Sequence, residues 1–91
     1  MYTLAYTNQF KRDYKRCKKA NKSMLKLHTA FCILEETGTL PVDKYKTHPL
    51  KGTYKDHIEA HIEPDCLLIW LPKPENEISL VRTGTHSELF G

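Results

Sequence analysis

Five histidines are many for 91 residues, and His48, His61 and His86 fall in the C-terminal half, beside turns and strand ends. Histidine has an unperturbed pKa near ~6.5, so it can give or take a proton at neutral pH without a special environment. Two such groups on either side of a phosphodiester are enough to cleave RNA without a metal. One imidazole removes the proton of the ribose 2′-OH, which attacks the adjacent phosphorus, and a second protonates the departing 5′ oxygen. A cation must hold the phosphate while charge builds, and Arg82 is the candidate because a guanidinium presents a fork of donors to phosphate oxygens. Asp65 can serve as a base or orient an imidazole.

Each of these residues also has a plainer reading. His61 can be a solvated residue on a polar strand face, and His48 a polar loop residue, although Pro49 restricts it to extended geometry. Pro64-Asp65 is also ordinary turn chemistry. His86 can be a half-exposed residue of a first helical turn, and Phe90 either anchors the C-terminus on the core or offers a platform to a base. Zinc at His61 and Asp65 lacks a third ligand, and no glycine-rich phosphate loop occurs. Cys66 has no basic pair dictated by sequence to activate it. Cys17, Cys32 and Cys66 are odd in number and widely spaced, which suggests reduced, part-buried small hydrophobes.

The elements that must position these groups can be read from periodicity. Tyr2–Tyr6 suggests a short strand. Asn8 is a plausible N-cap for a helix with Phe10, Tyr14 and Cys17 on one stripe, broken at Ala20-Asn21-Lys22. Ser23 can cap a second helix carrying Met24, Leu27, Phe31 and Leu34, and Gly38 stops it. Residues 38–53, with Gly38, Pro41, Pro49 and Gly52, read as a long irregular connection. From residue 54 the period becomes two. A hairpin pairing Glu63 with Cys66 would place Ile58, Ala60, Ile62, Leu67, Ile69 and Leu71 under the helices. Glu59, His61, Glu63, Cys66, Leu68 and Trp70 would take the open face. Pro72 to Asn76 forms the next turn, Ile78–Thr83 the last strand, and Thr85-His86-Ser87-Glu88 matches a capping box for a closing turn. This order predicts an α+β sandwich, one domain over residues 1–91, with helices on one sheet face and the other open.

Composition narrows the class further. With 40% hydrophobic and 27% charged residues the chain is neither disordered nor membrane-spanning, and its N-terminus lacks a secretory signal, so the expected address is the cytoplasm. The net charge of +3 hides an asymmetry, because residues 1–30 hold eight basic side chains against one acid, Asp13. That run is either a solvated helix face or a surface for a polyanion.

Three motifs carry a resemblance: Tyr45-Lys46-Thr47-His48-Pro49-Leu50-Lys51-Gly52; Ala60-His61-Ile62-Glu63-Pro64-Asp65 followed by Leu67-Leu68-Ile69; and Arg82 to Gly91. Together they resemble the YafQ-type branch of the RelE/ParE toxin superfamily, over essentially the whole chain. The resemblance implies a RelE-like fold with a mostly antiparallel four-stranded sheet, and the toxin of a type II toxin–antitoxin pair. It implies an endoribonuclease that cuts mRNA in the ribosomal A site without metal or other cofactor. Its partners would be mRNA, the ribosome and a cognate antitoxin, with operator DNA reached only through the antitoxin and no membrane. By the resemblance His48, His61, Asp65 and His86 take acid–base positions, Arg82 stabilises phosphate, Phe90 is the C-terminal aromatic and Glu59 matches an acidic position. The expected substrate contacts are Phe90, Glu59, Trp70 and Lys51.

Two departures follow. Cys66 stands where many relatives have tryptophan, with Trp70 expected on the same face instead. Arg82 reaches the His61 face only through an irregularity, expected around Lys73–Asn76. ParE-type relatives, which block DNA gyrase by binding, generally lack the three histidines. That inhibitor and a plain RNA-binding module are the competing readings.

Overall fold

The computed structural model describes residues 1–20 and 24–91. A short strand β1 (Thr3–Tyr6) leads into helix α1 (Asn8–Lys19). The cap is Thr7, one residue before the expected Asn8: Thr7 is extended, and its hydroxyl accepts from the Phe10 N–H at 3.0 Å. Phe10 and Cys17 are buried along the predicted stripe, and so is Asp13 between them. Helix α2 (Met24–Thr37) buries Leu27, Ala30 and Leu34. The expected break at Asn21-Lys22 and cap at Ser23 lie outside the described residues. Gly38, at φ +82°, ends the helix, and a Cβ there would come within 2.5 Å of the Tyr2 ring.

The connection expected to be irregular contains three short elements: α3 (Val42–Tyr45), β2 (His48–Pro49) and a 3-10 turn over Gly52–Tyr54. Lys46, in the left-handed region at φ 52°, ends α3. His48 is then held extended by the proline after it, which lets the dipeptide pair with β3 (Ile58–Glu63). The sheet therefore has five strands rather than four, in the order β1-β5-β4-β3-β2. Strand β1 runs parallel to β5 and the other neighbours pair antiparallel.

Two bulges decide which side chains reach which face. Glu63 pairs with Cys66 as expected, but the register shifts between His61 and Glu63. From there His61 lies opposite Leu67, Glu59 opposite Ile69 and Ile58 opposite Trp70. Opposed residues share a face, so the sides expected for strand β4 (Cys66–Lys73) are inverted. Leu67 and Ile69 join the His61 face. Cys66, Leu68 and Trp70 enter the core beneath the helices, with Phe10, Leu27, Leu34 and Leu80. The Cys66 thiol lies beside Cys17 there and lowers the pKa of Cys17.

The second bulge is in strand β5 (Glu77–Gly84): Ile69 faces Arg82 while Trp70 faces Leu80, leaving Val81 as the extra residue. This irregularity carries Arg82 to the His61 face, and it lies at Val81 rather than around Lys73–Asn76. Helix α4 (His86–Phe90) is closed by the predicted capping box. Thr85 Oγ1 accepts from the Glu88 N–H at 3.1 Å and Glu88 Oε1 accepts from the Thr85 N–H at 2.8 Å. Leu89 anchors the helix on Leu67 and Ile69. Among the described residues no helix is long and apolar enough to cross a membrane.

Candidate active site

Across the sheet face away from α1 and α2, His48, Glu59, Ile69 and Arg82 occupy one row on strands β2, β3, β4 and β5. A second row runs from His61 through Leu67 to Gly84, two residues before His86. At the usual strand spacing, Glu59 and Arg82 are about 10 Å apart along the backbone, with Leu67 and Ile69 as an apolar floor between the two flanks. That separation suits a phosphodiester lying across the floor.

Glu59 organises the first flank. Its side chain is only 7% exposed, with His48 Nε2 at 3.2 Å and His61 Nε2 at 3.8 Å from the same oxygen, Oε1. The other His48 ring nitrogen, Nδ1, lies 2.9 Å from the Lys46 carbonyl. A doubly protonated His48 donates to both acceptors, whereas a neutral ring can donate to one. The His48 and His61 rings are 6.3 Å apart, and both are partly open to solvent.

On the second flank Arg82 is clamped. Its Nε and Nη2 donate to the two oxygens of Asp13 at 2.6 and 3.2 Å, and Nη1 reaches the Tyr54 hydroxyl at 3.4 Å. Asp13 also accepts from the Thr83 N–H at 3.2 Å, and so closes the edge of β5 where β1 has ended. Burial pushes the Asp13 carboxyl up, but hydrogen bonds from Arg82, Thr83 and Gln9 outweigh it and hold the group below its ordinary range. The bond to Asp13 raises Arg82 above the usual arginine value, against its own burial.

Asp65 and His86 meet where the β3–β4 turn approaches α4. The contact runs from the His86 backbone N–H to Asp65 Oδ1 at 3.5 Å, so Asp65 steadies the helix start and not the imidazole. The Phe90 ring is 42% exposed, lies 5.0 Å from His86 and stands edge-on to Tyr54 at 5.9 Å. Lys51 is exposed just before the 3-10 turn. Trp70, expected on this face, is 1% exposed inside the helix-facing core and is removed from the candidate site.

Two members escaped the sequence reading. Asp13 carried a signal: it is the one acid among eight bases and falls on the buried stripe of Phe10 and Cys17. Tyr54 carried none, because its place depends on the 3-10 turn. A hollow of about 710 Å³ lies elsewhere, between α1, α2 and β1. Its histidine, His28, stacks on Tyr14 and shares a 2.6 Å hydrogen bond with the hydroxyl. None of the histidine, Glu59 or Arg82 side chains of the sheet face lines that hollow. Among the described residues no three His, Cys, Asp or Glu side chains are grouped to hold a metal ion.

Residues 2–91 match the family described as bacterial toxin of type II toxin–antitoxin system, YafQ. The mRNA interferase toxin YafQ of Escherichia coli K12 is 39% identical over 97% of this chain and 95% of its own length. A crystal structure of YafQ from E. coli BL21(DE3) superposes with a TM-score of 0.88 at 37% identity, all of each chain being covered. The E. coli DinJ–YafQ complex gives 0.86 at 38%, again covering all of each chain. With sequence and fold both matched along nearly its whole length, the chain belongs to the YafQ family of type II toxin–antitoxin toxins.

Proposed function

We propose that this chain is an endoribonuclease that cuts mRNA at the ribosomal A site in the cytoplasm and is silenced by a cognate antitoxin. The observation that carries the reading is the buried Glu59 carboxylate between His48 and His61, on one sheet row with Arg82. Either histidine that takes the 2′-OH proton finds a counter-charge in Glu59. The freed oxygen attacks phosphorus, the bond to the 5′ oxygen breaks, and a 2′,3′-cyclic phosphate remains on the upstream strand. His86, on the far side of the apolar floor, protonates the departing 5′ oxygen while Arg82 holds the phosphate. Asp65 sets the start of α4 and hence the His86 backbone, Phe90 offers its half-exposed ring to a base, and Lys51 adds a nearby positive charge. The complex that E. coli YafQ forms with DinJ supports an antitoxin partner, through which any operator contact would be made.

Cleavage of one end-labelled mRNA, naked and on programmed ribosomes, tests the reading with His61→Ala alongside. Cuts on ribosomes that fall roughly 10²–10⁴-fold in the variant are expected, the worth of one general acid or base. Equal rates for both proteins would remove the histidine mechanism, and no cuts by either would leave inhibition by binding.

A further inference from the structure

Arg82 does not offer a phosphate its Nε–Nη2 edge. Asp13 takes Nε and one N–H of Nη2, and Nη1 lies 3.4 Å from the Tyr54 hydroxyl oxygen. In that contact Nη1 donates and the phenol oxygen accepts, so the phenol's own O–H is left to be donated. We propose that Tyr54 is a second phosphate-contacting residue, its O–H paired side by side with Arg82 Nη1, and that Asp13 is the positioning residue that aims the pair. This rests on the ribonuclease reading.

The surroundings are built for a fixed geometry. Asp13 is fully buried, and its two oxygens accept from Arg82, the Thr83 N–H, Gln9 and Arg16. A carboxylate so engaged has no capacity left for proton transfer, and its role is to hold. Arg16 carries the hold onward, with Nε 2.9 Å from Glu88 in the capping box of α4. Asp13 thus ties Arg82 to the helix that bears His86. Tyr54 is set independently, its ring edge-on to both Phe90 and His57. Donors placed in advance need no rearrangement as charge develops on the phosphate. Pairing with Asp13 also offsets part of the Arg82 charge, which gives a second, neutral donor more to contribute.

Single-turnover cleavage on programmed ribosomes, run across a ribosome titration, reads rate and half-saturation separately. Tyr54→Phe keeps the ring and removes only the O–H. The expected result is a rate lowered roughly 10- to 150-fold, the worth of one hydrogen bond to a charged group, with half-saturation unchanged. Asp13→Asn lowers the rate in the wild-type background and adds nothing to Arg82→Ala, since it then has nothing to aim. Arg82→Lys keeps the charge but cannot serve Asp13 and phosphate together, and it is expected to be slow even if Asp13→Asn does not fold.

Wild-type rate in Tyr54→Phe, or a loss confined to half-saturation, overturns the Tyr54 assignment. A full further loss from Asp13→Asn on Arg82→Ala, or wild-type rate in Arg82→Lys, overturns the positioning role. A wild-type protein that makes no cut overturns the ribonuclease reading and this inference with it. A wild-type protein that cuts beside an equally active Tyr54→Phe overturns this inference alone.

Discussion

Glu59 has almost no access to water, yet its carboxylate ends between two imidazoles that do, an arrangement that adds little to stability even where it is well paired. A residue kept for stability would not be built this way. Glu59→Gln is therefore expected to lower single-turnover cleavage by roughly 10² or more while leaving the melting temperature unchanged or higher. A variant that melts early and cuts normally would mark Glu59 as structural. Phe90 poses the same question with the opposite geometry. Leu89 already anchors α4 and the Phe90 ring stays 42% exposed. Phe90→Ala should cost about 1–3 kcal/mol in substrate recognition, read from half-saturation, with little change in melting temperature. The polar members on alternating positions, His61 and Glu59, were legible in the sequence because period two places them directly. Tyr54 was not, because a 3-10 turn leaves no periodic trace.

At the level of elements, two single-residue bulges carry most of what the sequence concealed. Strand β4 reads Cys-Leu-Leu-Ile-Trp-Leu over 66–71, apolar at every position, because the core lies on one side and the apolar floor of the site on the other. Such a strand has no polar face to fix its register, and a slip of one residue exchanges all its side chains. The shift between His61 and Glu63 made that exchange and buried Trp70. Trp70→Ala should therefore lose about 3–5 kcal/mol of folding stability in urea, with cleavage per folded molecule unchanged. A stable variant that cuts poorly would return Trp70 to the site. The bulge at Val81 was foreseen only as a need, since Arg82 had to reach His61. Its position followed from the edge of β5, where β1 ends and Asp13 takes over the Thr83 N–H. The capping box at Thr85 and the stop at Gly38 were legible because each depends on a few neighbouring residues alone.

On the scale of the molecule, the basic N-terminal segment and the acidic remainder are joined through the one acid of that segment. Asp13 binds Arg82 of β5, and through Arg16 it reaches Glu88 of α4, so helix, sheet and C-terminus share one buried carboxylate. This makes the acid limit of the fold depend on Asp13. Its carboxyl titrates below the ordinary value of 3.8 in the folded chain, because the bonds from Arg82, Thr83 and Gln9 outweigh the upward push of burial. The folded state thus binds this proton less readily than the unfolded state. The resulting stability is present in full above about pH 3.8 and is lost as the pH falls through the lower folded value. Carboxyl-carbon titration of Asp13 by NMR, paired with urea unfolding from pH 6 downward, checks both halves. The expected outcome is a titration below 3.8, with unfolding free energy dropping through the same interval. A folded value at or above 3.8 would mean that burial prevails over the bonds from Arg82, Thr83 and Gln9, and that Asp13 does not set the acid limit of the fold.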